Sequence, residues 1–492
     1  MAKAKETKTK GQLLADKLFL NLKNCWEDID AKTEKEVEAL ASSYKDFLDR
    51  GKTERECTEV ICELLDKNGF VNIEKMKAKT LKPDMKVYQN VRDKSVLAAV
   101  IGKKPVIEGC NILGAHIDSP RLDLKQSPLY EDSDLALFDT HYYGGIKKYQ
   151  WTTIPLSMHG VFIDKDGKKT SIKIGEEPGD PVFTVTDLLP HLAKEQMEKK
   201  ANVAVEGEDL DILAGSRPYN DKKVKDKVKL ALLDLLNIKY GITEKDFASA
   251  EIEFVPAFRA SDVGLDRSMI GAYGHDDRCC AWPGLQALLA VARGKTAKSE
   301  TSSSGTPDKT LVLYLSDKEE TGSAGNTGAR SNNFENFLAF LCNGAGSGVS
   351  AEADLRNCFS RSSMLSADVD AAFDPTYASV FDKKNCSFLG KGIALSKYTG
   401  SGGKYGASDA NAEFCAKVLA IFDRNNVQWQ FGESGKVDKG GGGTIALYAA
   451  NLGMDVLDCG VPVLSMHSPF EIISKIDLYT TYRAYKAFLR DA

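Results

Sequence analysis

The chain reads Leu311-Val312-Leu313-Tyr314-Leu315-Ser316 and then Asp317-Lys318-Glu319-Glu320-Thr321-Gly322-Ser323. The apolar part has the length of a buried strand and is bounded by polar residues. Two adjacent carboxylates, Glu319 and Glu320, therefore lie where a buried strand ends and a glycine-bearing loop begins. Adjacent side chains that leave a strand point in different directions, so one glutamate can bind a metal while the other faces a substrate as a base. A lone Glu-Glu pair is more often a solvated acidic turn, so this interpretation depends on partners elsewhere in the chain.

Helices and strands alternate around this strand in the second half of the chain. After residue 262 the apolar spacing predicts helices at 280–292, near 327–341, near 410–422 and at 474–490, and strands at 311–315, at 363–367 and within 456–466. Such alternation implies an α/β fold with helices on both faces of a sheet. We therefore predict a mixed central sheet flanked by helices.

The segment from residue 123 to residue 262 has a different sequence pattern. Short strand-like pieces carry turn signals, as where Val161-Phe162-Ile163 runs into Asp164-Lys165-Asp166-Gly167. This pattern predicts a β-rich inserted domain. The chain then divides into residues 1–122, the insert at 123–262 and residues 263–492, and the first and last parts form one main domain.

Bulk properties exclude several classes of protein. The 492 residues are enough for two or three domains, and a 42% share of hydrophobic residues supports a large core. The net charge of −5 shows no basic excess for nucleic acid or an anionic membrane. The sequence has no apolar run of about 18 residues, and the basic residues 1–10 lack the apolar core of a secretory signal. Eleven scattered cysteines without a Cys-x-x-Cys pattern are typical of reduced thiols. We therefore expect a cytoplasmic protein with no nucleic-acid or membrane partner.

Two of the six histidines follow apolar strands. His116 lies in Gly114-Ala115-His116-Ile117-Asp118-Ser119-Pro120, and His467 lies in Leu464-Ser465-Met466-His467-Ser468-Pro469. Open α/β sheets bind ligands at the carboxyl ends of their strands. A single histidine is more often structural, but two in this shared context favour ligands. In an extended chain Asp118 shares a face with His116, so its carboxylate can accept the second imidazole N–H and orient the ring. A turn aspartate before Ser-Pro explains Asp118 equally well.

Two further acidic positions complete a ligand set. Asp276-Asp277 precedes a predicted helix, and Asp368 follows a predicted strand. Alone, each is more simply explained as a helix cap or a loop residue. Together with the two histidines and one glutamate of the Glu-Glu pair, they offer two nitrogen and three carboxylate ligands. That mixture suits zinc, and also cobalt or manganese.

The order His, Asp, Glu-Glu, Asp, His resembles the co-catalytic metallopeptidases. The flanking residues resemble one family among them, the aspartyl aminopeptidase and aminopeptidase I family. The motifs that carry this resemblance are Gly114-Ala115-His116-Ile117-Asp118-Ser119-Pro120-Arg121-Leu122, Asp317-Lys318-Glu319-Glu320-Thr321-Gly322-Ser323, Ser366-Ala367-Asp368 and Ser465-Met466-His467-Ser468-Pro469-Phe470-Glu471. They follow in order over most of the chain, which is far more specific than one short match.

The resemblance implies a fold, an assembly and an activity. Members of this family have a zinc-peptidase-like catalytic domain that a dimerisation domain interrupts, between the first histidine and the bridging aspartate. The insert at 123–262 agrees with that arrangement. Family members form dimers that assemble into tetrahedral dodecamers, which enclose the active sites and favour peptides over folded proteins. We expect an aminopeptidase that releases N-terminal residues from peptides, either acidic Asp and Glu or a broader, neutral range.

The resemblance also implies the roles of individual site residues. Four side chains match the terminal ligands of two divalent metal ions: His116, Glu320, Asp368 and His467. Asp276 matches the bridging carboxylate, and Asp277 stays open as the alternative because the family commonly has Asp-Asn here. Glu319 matches the general base, and Asp118 matches the aspartate that orients a histidine. Zinc is expected, with cobalt or manganese as alternatives. In the implied mechanism a metal-bridging hydroxide attacks the scissile carbonyl, and Glu319 carries the proton to the leaving amine.

Four residues are expected to contact the substrate, again by resemblance: His191, Lys397, Lys404 and Tyr405. His191 lies near the position of a histidine that the neighbouring subunit donates in this family. The segment with the two lysines resembles one that contacts substrate, where a cation reads an acidic side chain. Solvated lysines on a glycine-rich loop explain the segment equally well. Residues 370–374 replace histidines that the family often carries, which weakens the expectation of acidic specificity.

Two alternatives stay open. A dinuclear metal carboxypeptidase or amide deacylase also uses a Glu-Glu pair, but it cleaves substrates whose N-terminus is blocked. A catalytically silent scaffold protein would share the architecture. A degenerate copy should have lost at least one ligand or Glu319, so the complete set favours an enzyme.

Overall fold

Three β-sheets and the helices around them make up the fold. The computed structural model describes residues 8–76, 80–164, 166–294, 306–344 and 351–492. Most of the basic start of the chain, residues 1–7, lies outside the described residues. Among the described helices, none is both long and apolar enough to cross a membrane.

Strands and α-helices are numbered along the chain. The strands are β1 (Val71–Asn72), β2 (Lys86–Val91), β3 (Ser95–Val100), β4 (Cys110–His116), β5 (Arg121–Asp132), β6 (Leu135–Tyr143), β7 (Leu156–Ile163), β8 (Lys169–Ile174), β9 (Thr184–Val185), β10 (Ile212–Gly215), β11 (Glu251–Pro256), β12 (Ser261–Val263), β13 (Met269–Ala272), β14 (Thr310–Ser316), β15 (Ser363–Ser366), β16 (Asp370–Ala371), β17 (Ile393–Ser396), β18 (Trp429–Phe431), β19 (Asp455–Gly460), β20 (Pro462–Leu464) and β21 (Glu471–Ser474). The α-helices are α1 (Lys10–Leu18), α2 (Ala31–Arg50), α3 (Glu54–Lys67), α4 (Lys194–Glu198), α5 (Lys227–Tyr240), α6 (His275–Ala292), α7 (Asn333–Gly344), α8 (Ala351–Arg361), α9 (Ala412–Arg424), α10 (Ala446–Asn451) and α11 (Lys475–Asp491).

The largest sheet has nine strands in the order β1-β2-β3-β14-β4-β15-β19-β17-β18. Its centre, β14-β4-β15-β19, is parallel. The flanking strands β3 and β17 run antiparallel to the central strands beside them. The prediction of a mixed central sheet is therefore confirmed.

Both faces of this sheet are covered. Leu311, Leu313 and Leu315 of β14 pack in one apolar core with residues of α6 and α11, whereas Val312 and Tyr314 pack in a second core with residues of α7 and α8. Successive side chains of a strand point to opposite faces, so a strand covered on both sides needs a continuous apolar run. This explains the sequence that precedes the Glu-Glu pair.

A second sheet forms between Arg121 and Pro256. It has seven strands in the order β8-β7-β11-β5-β6-β10-β9, and each adjacent pair is antiparallel. Its side chains enclose a separate apolar core. The proposed boundaries of the insert at 123–262 stay a prediction, which this sheet supports.

One predicted helix begins later than expected. The apolar spacing predicted a helix from about residue 327, but α7 begins at Asn333. Thr327 instead donates a hydrogen bond to the Asp317 carboxylate, and Gly328 pairs with the Asp317 backbone. These contacts hold the start of the segment as a loop at the end of β14.

Candidate metal centre and active site

The predicted ligands meet at the carboxyl edge of the central strands. In the register of β4 with β14, His116 lies opposite Ser316, three residues before Glu319. The next strand, β15, ends at Ser366, two residues before Asp368. Because these strands are parallel neighbours, the side chains that follow their ends come together.

A third, five-stranded sheet in the order β12-β13-β21-β20-β16 brings in the remaining predicted ligands. β13 leads through Gly274 to Asp276, and β20 ends three residues before His467. Gly274 has a φ of 75°, and a Cβ there would lie 2.5 Å from the Arg278 guanidinium. Only glycine tolerates both conditions, so this residue permits the turn that presents Asp276.

Glu471 at the start of β21 joins the two segments. Its Oε2 accepts the backbone N–H of Asp276 at 3.1 Å, and its Oε1 accepts the backbone N–H of His467 at 2.6 Å. The pairing of β21 with β13 fixes Glu471 opposite Ala272. One buried carboxylate therefore sets the spacing between two predicted ligands that are far apart in sequence.

Asp276 lies between the two histidines. Its Oδ1 is 3.1 Å from His116 Nε2, and its Oδ2 is 3.2 Å from His467 Nε2. Glu320 Oε2 is 3.5 Å from His467 Nε2, and Glu319 Oε2 is 3.9 Å from His116 Nε2. One carboxylate thus presents one oxygen to each imidazole, which is the arrangement of a bridging ligand.

Asp277 faces the His116 side of the cluster. Its Oδ2 accepts the backbone N–H of His116 at 3.2 Å. Possible ligand atoms of His116, Asp277 and Asp368 lie within 4.8 Å of one another, and so do those of His116, Asp276 and Glu320. The structure therefore gathers the predicted ligands into adjoining groups, and of the two aspartates Asp276 is the one between the histidines.

Asp118 organises the backbone of the Glu-Glu pair. Its Oδ1 accepts the N–H of Glu319 at 3.1 Å, and its Oδ2 accepts the N–H of Glu320 at 3.2 Å and the hydroxyl of Tyr143 at 2.8 Å. His116 Nδ1 lies 3.3 Å from Asp118 Oδ1 and 3.1 Å from the Asp118 carbonyl oxygen. Both possible partners are oxygen acceptors, so Nδ1 carries the proton and donates it. The unprotonated Nε2 can then bind a cation.

The cluster carries an excess of buried negative charge. Burial raises the pKa of Glu319 to about 7, and it raises the pKa values of Glu320 and Asp368 well above their ordinary range. Burial lowers the pKa of His467, but contacts with Asp276 and Glu320 outweigh it and raise that pKa to about 11. The buried carboxylates therefore favour a positive charge beside them, whether on a histidine or on a bound cation.

The donor set fits divalent metal ions. Imidazole nitrogens and carboxylate oxygens together suit zinc, and also cobalt or manganese. Glu320 Oε1 and Asp277 Oδ1 are buried and have no hydrogen-bond partner among the described residues. Buried oxygens without partners are costly, and a bound cation would satisfy them.

A cleft of about 890 Å³ opens onto the cluster. Asp276, Glu319, Glu320 and His467 line it, together with glycines of the loops at 400–403 and 435–443. This volume is in the range of small-ligand sites, and loops rich in glycine leave room for a peptide backbone.

The two predicted substrate-contacting lysines are engaged with one carboxylate. Lys404 lines the cleft, but its Nζ lies 2.9 Å from Asp409 and 3.7 Å from the centre of the Tyr398 ring. Lys397 Nζ lies 2.8 Å from the same Asp409. The two ammonium groups therefore share one carboxylate, which offsets one of their two positive charges.

The other two predicted substrate contacts lie outside the cluster. Tyr405 is 82% exposed on the glycine-rich loop, and His191 is exposed in the insert. Within the single described chain, neither lines the cleft.

No sequence pattern assigns a role to several residues that support the predicted ligands, Arg278 among them. The buried Arg278 guanidinium donates to the carbonyl oxygens of Gly51 and Lys52 and to the Ser119 hydroxyl, which in turn donates to the Asp276 carbonyl oxygen. The signal in the sequence that could have indicated this role is the position of Arg278, a charged residue directly after Asp276 and Asp277. The same holds for Glu471, which lies within a motif of the family resemblance but had no assigned role.

Comparison with known proteins identifies the family. The family model described as aminopeptidase I zinc metalloprotease (M18) matches residues 47–489. The chain belongs to this family. A probable M18 family aminopeptidase 1 of Clostridium acetobutylicum is 51% identical over 476 residues, which are 96% of this chain and 99% of that protein. The crystal structure of an M18 aminopeptidase from Thermotoga maritima is 44% identical, with a TM-score of 0.89 over 96% of this chain and 100% of that one. At 21% identity, the S. cerevisiae mApe1 dodecamer structure shares the fold, with a TM-score of 0.73 over 93% of this chain and 97% of that one.

Membership of the M18 family settles the reaction. The chain is a metallo-aminopeptidase, a hydrolase that acts on peptide bonds. The predicted family, fold class and activity are confirmed. The alternative of a carboxypeptidase or amide deacylase is not favoured.

Proposed function

We propose that this M18 aminopeptidase binds two divalent metal ions around Asp276, zinc being expected and cobalt or manganese the alternatives. His116 and Asp368 would hold one ion, Glu320 and His467 the other, and Asp276 would bridge them. The position of Asp276, 3.1 Å from one imidazole nitrogen and 3.2 Å from the other, carries this proposal. Bound ions would polarise the scissile carbonyl and lower the pKa of a water molecule shared between them.

Glu319 is proposed as the general base. It lines the cleft beside the ligands, and burial raises the pKa of its carboxyl to about 7. A carboxylate beside the proposed ions can accept a proton from water and return it to the leaving amine. Asp118, bonded to the backbone N–H groups of Glu319 and Glu320, keeps the base and its neighbouring ligand in separate orientations.

Elemental analysis tests the ligand assignment. The wild-type protein should retain two equivalents of divalent metal, and Asp276→Asn should retain fewer than one because both ions lose a ligand. Two retained ions in the variant would contradict the bridging role. A peptide with a blocked N-terminus should not be cleaved, because an aminopeptidase needs the free amine. Cleavage of that peptide would support the carboxypeptidase or deacylase alternative.

Peptides with a neutral first residue are the proposed preferred substrates. Asp409 pairs with both lysines that could read an acidic side chain and offsets one of their two positive charges. The cleft also contains Glu433, which accepts a hydrogen bond from the Tyr398 hydroxyl at 2.6 Å. A carboxylate beside paired cations disfavours an acidic substrate side chain. Leu-, Asp- and Glu-anilides should therefore be cleaved in falling order of kcat/KM, with Leu first.

We further propose a homo-oligomer, built from dimers into a tetrahedral dodecamer, with residues 123–262 as the dimerisation domain. The distant likeness to the mApe1 dodecamer supports this assembly. Large apolar side chains are exposed on the insert, as expected for a surface that a second subunit covers. They include Leu188, Leu189, Leu192 and Met197. Light scattering of the purified protein should give twelve chains per particle.

A cytoplasmic location is proposed from the eleven cysteines, all of which are free.

A further inference from the structure

A loop of the inserted segment reaches the metal centre. β6 belongs to the seven-stranded sheet and ends at Tyr143, and Gly144 and Gly145 follow. Tyr143 contacts the residue that orients His116, and Gly145 contacts His467 directly. The two histidines on opposite sides of Asp276 are thus both supported from this one loop.

Tyr143 holds the Asp118 carboxylate in one orientation. Its hydroxyl donates to Asp118 Oδ2 at 2.8 Å, shorter than the 3.2 Å bond that the same oxygen accepts from Glu320 N–H. Rotation of the carboxylate away from Tyr143 would also break the bonds to the Glu-Glu backbone. The hydroxyl therefore acts on His116 and on Glu320 through Asp118, and Tyr143 is a positioning residue.

The Tyr143 ring is itself held rigidly. The Arg121 guanidinium lies 3.9 Å from the ring centre, and Arg121 forms ion pairs with the buried Glu54 at 3.1 Å and with the buried Glu253 at 3.4 Å. Glu54 belongs to α3 of the main domain, whereas Glu253 belongs to β11 of the seven-stranded sheet. The ring is therefore packed where the two parts of the chain meet.

Gly145 supports the second histidine. Its carbonyl oxygen accepts the Nδ1–H of His467 at 2.8 Å, so His467 Nε2 faces Asp276 and Glu320. Gly144 makes this possible, because it has a φ of 77° and a Cβ there would lie 3.2 Å from Glu320 Oε2. A side chain at Gly144 would meet both backbone strain and a proposed metal ligand.

We infer that Tyr143-Gly144-Gly145 is a clamp by which the inserted segment positions both histidines of the metal centre, so that the catalytic domain alone has an incomplete site. This inference rests on the proposed metal-binding function of the same cluster. The metal ligands come from the main domain, but their orientation depends on the insert. Any change in how the insert packs should therefore alter metal affinity as well as turnover.

Tyr143→Phe tests the clamp, because phenylalanine keeps the stacking on Arg121 and removes only the hydroxyl. Tyr142→Phe is the matched control, since Tyr142 is the preceding residue of the same strand, points to the other face and is 39% exposed. Zinc affinity of the metal-free protein is measured by competition with a chromophoric chelator, and kcat and KM are measured on leucyl anilide. Removing the support of a metal-binding histidine typically costs about 10- to 100-fold in affinity or activity. We expect Tyr143→Phe to weaken zinc binding and lower kcat by about 10-fold, with KM within about threefold, and Tyr142→Phe to match the wild type.

Gly144→Ala tests the second contact. Gly179→Ala is its control, because Gly179 also has a positive φ, 95°, but has nothing within 4 Å of the added methyl group. Both variants carry similar backbone strain, but only Gly144→Ala should weaken zinc binding and shift the visible spectrum of the cobalt-substituted protein. Equal zinc affinity in Tyr143→Phe and wild type, or equal losses in the two glycine variants, would overturn the clamp. Absence of metal binding by the wild type would instead overturn the proposed function.

Discussion

Replacing Asp118 by asparagine should slow catalysis while leaving substrate binding nearly intact. The carboxylate accepts the N–H groups of Glu319 and Glu320 and the Tyr143 hydroxyl, and its Oδ1 lies 3.3 Å from His116 Nδ1. An amide has nearly the same shape, but its NH₂ group replaces one of the two oxygens. In either orientation this NH₂ group faces the backbone N–H of Glu319 or that of Glu320, and neither can be accepted by a donor. At least one hydrogen bond to a charged acceptor is lost, at about 1.5–3 kcal/mol. At 1.36 kcal/mol per tenfold change, kcat should fall by about 10- to 150-fold.

Steady-state kinetics on leucyl anilide measures this effect. KM should stay within about threefold of wild type, because Asp118 orients the base and a ligand rather than the substrate. Asp132→Asn is the matched control, since Asp132 is an exposed residue at the far end of β5, the strand that follows Asp118. A kcat within twofold of wild type for a folded, zinc-loaded Asp118→Asn would refute the orienting role.

Three further predictions concern the base, the substrate side chain and the metal. Glu319→Gln should retain its metal but lose nearly all turnover, because the amide cannot accept the proton; near-normal kcat would remove Glu319 from the base role. Asp409→Asn should raise kcat/KM for Asp-anilide relative to Leu-anilide by about fivefold, because removing the carboxylate leaves one further positive charge, which is worth about 1 kcal/mol in water. Asp438→Asn on the other glycine-rich loop serves as the control, and an unchanged ratio in Asp409→Asn would contradict the masking of Lys397 and Lys404. Removal of the metal by a chelator should lower the Tm by about 4 °C for each ion whose free concentration was 1,000 times its Kd. Adding zinc should restore the Tm, as measured by calorimetry. An unchanged Tm after chelation would argue against ions in the buried carboxylate cluster.

Local patterns predicted the elements that carry the predicted ligands. A continuous apolar run at 311–315 is needed by a strand covered on both faces, so the position of Glu319 and Glu320 at its end could be foreseen. The same reasoning applies to His116 after β4. Helix bounds were less accurate at α7, where a tertiary contact of Thr327 with Asp317 decides where the loop ends.

Contacts between distant segments could not be predicted. Asp276 and Asp277 are chemically identical neighbours, and only the packing of β13 against β21 determines which one lies between the histidines. Lys404 is typical of a substrate contact in sequence, but its pairing with Asp409 depends on the path of the loop. Tyr143 ends a strand of the insert and carries no local pattern that points to Asp118.

Anomalous diffraction from crystals of the zinc-loaded protein shows directly whether Asp276 lies between two metal ions. We expect two anomalous peaks about 3.5–4 Å apart, one on each side of the Asp276 carboxylate. The His116 and His467 Nε2 atoms should then lie about 2.0–2.1 Å from their respective ions. A single peak, or two peaks of which neither is bound by Asp276, would contradict a two-metal centre bridged by Asp276.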